Sequence, residues 1–295
     1  PGQVRLAVEA CGVNFADTLL VRGRYQARPP LPFAPGGEVA GRVEALGPGV
    51  EGPAPGTRVA AICGWGGFAE AVLAPAAACA PLPDALPAEA AAALLVNYGT
   101  AEIALARRAR LAAGETLLVL GAAGGTGLAA VEIGALLGAR VIAAARGEAR
   151  RALARAKGAA ETLDPEAGDL KESVKALGGA DVVFDPVGGE MFRPALSTLN
   201  FEGRYLPIGF ASGEVPRIPA NLLLVKNLDA IGLNWPAYLE AAPGAMGASI
   251  ARLLGWAEAG RLVPHVSHRL PLAEAEAALD LLRDRKATGK VVLFT

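Results

Sequence analysis

Glu115-Thr116-Leu117-Leu118-Val119-Leu120-Gly121-Ala122-Ala123-Gly124-Gly125-Thr126-Gly127 is the stretch on which the fold turns. Residues 116–120 form a short unbroken apolar run, the pattern of a strand buried on both faces of a parallel sheet. Four glycines follow within seven residues. Residues 128–139 then read as a helix, with Leu128, Val131, Ile133 and Leu136 among small residues. A strand, a glycine turn and a helix in that order form a dinucleotide-binding unit. The glycines let the backbone approach a pyrophosphate, and the helix N-terminus presents free N–H groups to it. Against the pattern G-x-G-x-x-G, residues 122–127 carry Ala122 at the first position, with Gly121 just before it. A tight strand–helix turn without a ligand is the plainer alternative. The second strand expected at 140–145 favours the nucleotide reading.

The end of that second strand bears on which nucleotide is bound. An NAD site commonly carries Asp or Glu there, for the ribose 2′-hydroxyl. Here Val141-Ile142-Ala143-Ala144-Ala145-Arg146 contains no acid, and Arg150 and Arg151 follow. Without a carboxylate a 2′-phosphate meets no repulsion, and arginine offers it charge and a two-pronged donor. The expected cofactor is therefore NADPH, with Arg146 and Arg150 at the 2′-phosphate. The other role open to these arginines is to begin a solvated helix at 148–157.

The 295 residues suffice for two domains. Of them, 53% are hydrophobic and 19% charged, and 28 basic residues against 29 acidic leave a net charge of −1. That balance gives no footing for nucleic acid or an anionic membrane. Cys11, Cys63 and Cys79 are odd in number and form no CxxC pair, which argues against a disulfide framework and for a reducing, cytoplasmic setting. No apolar run reaches the roughly 18 residues needed to span a bilayer, and no signal peptide is visible. Pro1-Gly2-Gln3-Val4 leads directly into an alternating strand with no initiator Met, so further sequence is expected ahead of it.

Residues 1–80 read as β-rich, with strands at 4–10, 38–46, 58–62 and 67–73 separated by Gly/Pro-rich turns. Such spacing suggests a small barrel-like domain. An Ala-rich helix is expected from 87 to about 96, and a second at 100–111. Alternation follows: strands at 116–120, 140–145, 161–163, 181–185, 204–209 and 229–234, with helices at 126–138, 148–157, 169–177 and 190–199. That order implies a parallel sheet covered by helices. A helix at 243–260, a strand at 263–270, a helix at 272–285 and a strand at 290–294 close the chain. The expected organisation is 1–95, a β-rich domain; 96–235, a doubly wound nucleotide domain; and 236–295, a return to the first.

Several blocks together carry a family likeness. They are Cys11-Gly12-Val13-Asn14-Phe15-Ala16-Asp17, Pro35-Gly36-Gly37-Glu38-Val39-Ala40-Gly41 and Gly66-Gly67-Phe68-Ala69-Glu70, then Asn97-Tyr98-Gly99-Thr100-Ala101 and the glycine turn. Asp185-Pro186-Val187-Gly188-Gly189 and Ala287-Thr288-Gly289-Lys290-Val291-Val292 complete them. In this order and spacing the chain resembles the medium-chain dehydrogenase/reductases, most closely their zinc-free quinone oxidoreductase branch. The resemblance covers essentially the whole chain except the family's first strands. It implies a GroES-like catalytic domain with a Rossmann nucleotide domain inserted. Zinc-dependent members place a Cys where this chain has Asn14 and a His where it has Gly37, just before a retained Glu38. A third ligand would fall near Ala92, where there is no Cys or His, and the four-cysteine structural zinc lobe is missing. No metal is therefore expected. His265 and His268, at i and i+3 on an expected strand, would face opposite sides.

Carried over residue by residue, the resemblance implies cofactor contacts at Gly124, Gly125, Thr126, Gly127, Arg146, Arg150, Val187, Phe210 and Asn234. It places Asn14, Tyr25 and Tyr98 at the catalytic site. Each has a plainer alternative: Asn14 could brace a turn, and Tyr98 could pack beneath the cofactor. Asp17 is read as bracing the loop. Without a metal, a conjugated acceptor such as a quinone or an α,β-unsaturated carbonyl is easier to reduce than an isolated carbonyl. Two functions stay open. One is an NADPH-dependent reductase of a small electrophilic acceptor. The other is an NADPH-binding structural or redox-sensing protein with little turnover. The apolar strand expected at 228–233, at a sheet edge, points to a homodimer through the nucleotide domain.

Overall fold

The computed structural model describes residues 2–295. The chain divides into two compact units, residues 1–99 with 236–295 and residues 100–235.

The first unit is built on a seven-stranded sheet. Its strands are β1 (Gln3–Val13), β2 (Glu38–Leu46), β3 (Arg58–Ile62), β4 (Ala71–Pro75), β5 (Cys79–Pro81), β12 (Val266–Pro271) and β13 (Lys290–Phe294), ordered β12-β13-β1-β2-β3-β5 with β4 also on β1. β1 serves three partners. Its first half pairs with β4, its last four residues with β13, and β2 runs along the other side. Pairing shifts at Arg5/Leu6 and at Val8/Ala10 bend it. Alternating Val4, Leu6 and Val8 turn inward onto Val39, Val43, Val59, Val72 and Leu293, and Ala278 on the helix Ala275–Arg283 closes the core.

The second unit holds a six-stranded parallel sheet: β6 (Thr116–Leu120), β7 (Arg140–Ala144), β8 (Glu161–Leu163), β9 (Ala180–Asp185), β10 (Leu199–Pro207) and β11 (Asp229–Ala230). The order β11-β10-β9-β6-β7-β8 reverses direction at β6. That is the doubly wound order, in which ligands bind beyond the carboxyl ends of the strands at the switch point. The helix Gly125–Leu136 is buried from Gly127 to Gly134, which explains its nearly continuous apolar sequence. No helix among the described residues is long and apolar enough to cross a membrane.

Several elements differ from the sequence expectations, each for a local reason. The Ala-rich segment splits into the helices Ala88–Ala92 and Leu95–Glu102, followed by a π-helical stretch Ile103–Arg108. The restart falls where the Val96 N–H bonds the Glu38 carboxylate at 2.8 Å. A short helix, Phe15–Leu20, had no counterpart in the sequence reading. β4 starts at Ala71 rather than residue 67, because the amides of Gly66, Gly67 and Phe68 bond the carbonyls of Ala34, Gly36 and Pro35. β11 is two residues long, not six. Beyond it the Gly232 carbonyl accepts from the Arg108 guanidinium at 3.0 and 3.2 Å instead of continuing the ladder.

Candidate active site

In the second unit, the carboxyl end of β6 opens into the glycine turn. Gly124 is exposed at the N-cap of the helix Gly125–Leu136. Gly127 must be glycine, since a Cβ there would stand 2.2 Å from the Gly121 carbonyl oxygen. That closeness seats the helix on the strand, and the helix N-terminus carries the partial positive charge that favours an anion. The neighbouring turn, after β9, is shaped by Asp185. This fully buried carboxylate accepts from the N–H groups of Val187 at 2.7 Å and Gly188 at 2.9 Å, and from the Tyr205 hydroxyl. The ring of Tyr205 stands edge-on to Phe192, with centroids 5.3 Å apart. Burial and the Asp185 charge hold the Tyr205 phenol far above its ordinary range, so it stays the donor. The Val187 side chain reaches over Gly121, where an added Cβ would lie 3.0 Å from it, and the Phe210 ring covers Gly188 at a similar 3.1 Å. The structure thus brings together the glycine turn, Val187 and Phe210 at the two strand ends that flank the switch point. Asn234 is exposed beyond β11.

Arg146 follows the carboxyl end of β7, whose Ala144 carbonyl receives the Ala122 N–H at 3.1 Å. The strand end bearing Ala145 and Arg146 is therefore tied directly to the glycine turn. Arg146 pairs with the exposed Glu166 at 3.1 Å. Such a surface pair is worth about 0–1 kcal/mol and yields to a better anion. Arg150 is half-buried in the first turn of the helix Glu148–Ala156, and Thr126 is half-buried in the first turn of its own helix. Arg151 is held by Glu148 and Asp164. The glycine turn at the switch point, the helix N-terminus beside it and basic groups with no acid at Ala145 fit a phosphorylated dinucleotide.

The first unit holds a second cluster. Gly12 pairs with Glu38, Glu38 with Ile62, and Val13 with Val291, so Asn14, Glu38 and Lys290 meet at one end of the sheet. Glu38 is fully buried and Lys290 is 3% exposed. The Lys290 ammonium bonds the Glu38 carboxylate and donates to Asn14 Oδ1 at 2.6 Å. Asn14 Nδ2 donates to Glu38 Oε1 at 2.9 Å and to the Gly12 carbonyl at 3.4 Å. Glu38 Oε2 takes the Val96 N–H in the first turn of the helix Leu95–Glu102, an anion at a helix N-terminus. That helix carries the buried Tyr98. The polar atoms of Asn14 are thus bonded within the protein. Asp17 braces the loop: its carboxylate accepts from the N–H groups of Asn14 at 2.8 Å and Gly36 at 3.0 Å. Burial pushes the Asp17 carboxyl up to about 6. Burial, with the Asp17 charge behind it, also raises the half-buried Tyr25 phenol, which keeps its proton. Burial likewise pushes the thiols of Cys11, Cys63 and Cys79 up, making them poor nucleophiles.

Lys290 and the capping role of Glu38 were missed in the sequence. The available signal was a charged residue opening each of two apolar strands, opposite in sign. His265 Nε2 lies 3.2 Å from the Thr288 hydroxyl and His268 Nδ1 lies 2.9 Å from the Ser267 hydroxyl. Among the described residues, no three His, Cys, Asp or Glu side chains are grouped to hold a metal.

Comparison with known proteins agrees with this architecture. The profile of the alcohol dehydrogenase GroES-like domain matches residues 1–84, and that of the zinc-binding dehydrogenases matches residues 125–251. A quinone oxidoreductase-like protein 2 homolog from Nematostella vectensis is 42% identical over 299 residues, covering 99% of this chain and 82% of its own length. The quinone oxidoreductase of Thermus thermophilus, solved with and without NADPH, superposes with a TM-score of 0.83 at 39% identity, over 100% of this chain and 92% of that one. The Escherichia coli quinone oxidoreductase, solved with NADPH, gives 0.93 at 27% identity over the same shares. The chain belongs to the medium-chain dehydrogenase/reductase family, in its quinone oxidoreductase branch.

Proposed function

We propose that this protein is an NADPH-dependent reductase of a quinone or an α,β-unsaturated carbonyl and works without a metal. The observation that carries the cofactor assignment is the strand end Ala145–Arg146, hydrogen-bonded into the glycine turn and free of any acid at residue 145. Gly124, Gly125, Thr126 and Gly127 would hold the pyrophosphate on backbone N–H groups. Arg146 and Arg150 would take the 2′-phosphate, and Val187 and Phe210 would flank the switch point. Asn234 is assigned to the cofactor by family likeness. The NADPH complexes of the relatives support this assignment.

When bound, NADPH supplies a hydride; with one proton from water a quinone becomes a hydroquinone, or an enone a saturated ketone, and NADP⁺ is left. The chain's part is to place the acceptor and to meet the negative charge that develops on its oxygen. Tyr25, its phenol held in the protonated form, is the donor we assign to that charge. Asn14 we assign as a positioning residue, its amide bridging Lys290 and Glu38. Tyr98 is set by the helix that Glu38 caps. Metal independence rests on Lys290. Where zinc-dependent relatives have ligands, this chain has Asn14 and Gly37, and the retained Glu38 is paired with a fixed ammonium. A second cation there would meet its charge at close range. The exposed apolar side chains Phe201, Leu224 and Val225, with the edge strand β11, support a homodimer through the second unit. The three free thiols fit a cytoplasmic location.

Titration of NADPH and NADH into the parent and Arg146→Ala/Arg150→Ala, with turnover on a panel of quinones and enones, tests the proposal. A charge-assisted contact is worth roughly 1.5–3 kcal/mol. The double variant should therefore bind NADPH at least tenfold more weakly and leave NADH almost unchanged. A parent that prefers NADH, or a double variant that keeps the parent's preference, overturns the assignment. A parent that binds NADPH but reduces no acceptor favours the sensor reading.

A further inference from the structure

Trp65 lies in the loop between β3 and β4 and is 44% exposed. The loop on both sides of it is held by backbone hydrogen bonds. The N–H groups of Cys63 and Gly64 bond the Gly37 carbonyl at 2.9 and 3.2 Å. Those of Gly66, Gly67 and Phe68 bond the carbonyls of Ala34, Gly36 and Pro35 at 2.8–2.9 Å. Gly64 and Gly66 flank the tryptophan at φ +78° and +95°, a conformation that side-chain-bearing residues rarely adopt. Five hydrogen bonds and two reversed glycines thus present an indole that the fold does not bury, while Phe68, three residues on, packs into the core.

The location is informative. Gly37, which anchors this loop, directly precedes Glu38, so Trp65 emerges at the sheet end that carries Asn14, Glu38 and Lys290. Other segments leaving that end also expose large apolar side chains: Val21 at 46%, after the helix that begins beyond Asn14, and Leu31 at 84%. Tyr25, the half-buried phenol close enough to feel the Asp17 charge, lies between them in sequence.

We infer that Trp65 is a specificity-determining residue, a fixed face on which the planar ring of an aromatic quinone stacks. The inference rests on the reductase reading above and narrows its acceptor. An electron-rich indole and an electron-poor quinone ring favour offset stacking, and an immobile loop has little conformational entropy left to lose on binding. An acyclic enone has no ring to use that face.

The experiment is made on the NADPH-loaded enzyme with 1,4-naphthoquinone and 3-penten-2-one as acceptors. Trp65→Ala should raise KM for the naphthoquinone about tenfold with kcat little changed, an effect of the size expected for losing an aromatic stack and its burial. Turnover of the enone should stay within about twofold of the parent, and Trp65→Phe should restore most of the loss. Equal losses on both acceptors, or none on either, would overturn the inference. A second readout does not need turnover. Naphthoquinone should quench indole fluorescence in the parent and do so far less in Trp65→Phe, which retains Trp235 and Trp256. If the parent reduces neither acceptor, the reductase reading fails, and the quenching difference still decides Trp65. Equal quenching in both proteins, or no quinone binding to the parent, refutes the role.

Discussion

Lys290→Met removes the ammonium from an almost completely buried ion pair and keeps nearly the same volume. Glu38 would be left fully buried, with the Asn14 amide and the Val96 N–H as donors but no cation, and Asn14 Oδ1 would lose its donor. Taking one partner from a buried pair costs about 3–5 kcal/mol. The orphaned amide oxygen puts this case toward the upper end, because an unsatisfied buried acceptor costs about 1–3 kcal/mol by itself. Neutralising both ends gives a different result. In Lys290→Met with Glu38→Gln, the residue-38 carbonyl can still accept from Asn14 Nδ2 or Val96, and no charge is buried. The double variant should therefore recover at least about 2 kcal/mol relative to Lys290→Met, because no charge is left buried without a partner. Urea unfolding of the parent, both single variants and the double variant, followed by far-UV circular dichroism at fixed pH, completes the cycle. If Lys290→Met costs less than about 1 kcal/mol, or the double variant is no more stable than the single, the pair does not organise this end of the sheet.

Tyr205→Phe deletes the hydroxyl that donates to Asp185 and should cost about 1–3 kcal/mol; because Asp185 shapes the Val187 turn, NADPH affinity should fall as well, and unchanged stability and affinity would count against that turn's dependence on Tyr205. Asp17 makes a pH-dependent contribution. Its carboxyl is raised to about 6 in the fold from an ordinary 3.8, so the stability it lends is full below the ordinary value and is lost as pH rises through about 6. The loss amounts to about 3 kcal/mol, from roughly two pH units at 1.36 kcal/mol each. Asp17→Asn lacks this dependence, and urea unfolding between pH 4 and 7 should show it gaining on the parent as pH rises; a constant difference would sink the assignment.

What the sequence disclosed follows from how local each signal is. β6, the glycine turn and the helix Gly125–Leu136 are contiguous, and a strand buried on both faces shows itself as an unbroken apolar run. The missing acid at Ala145 is equally local. The cluster at Glu38 is not: its bonds to Asn14 and Lys290 span 24 and 252 residues, and only the sheet pairing brings them together. The same carboxylate divides what reads as one Ala-rich helix, since a distant side chain supplies the bond at Val96. β11 stops after two residues because Arg108 captures the Gly232 carbonyl, a competition 124 residues away in sequence. The resemblance to the family singled out Asn14 and Tyr98 but gave no sign that the Asn14 amide is bonded to Glu38 and Lys290.

The measurement closest to the central claim is NADPH oxidation with 1,4-naphthoquinone by protein dialysed against a strong chelator, with the zinc content of the same sample determined by elemental analysis. Lys290 already supplies the cation beside Glu38, so the account predicts undiminished turnover with zinc far below one per chain. About one tightly held zinc per chain, with turnover lost on its removal and restored on its return, would contradict it.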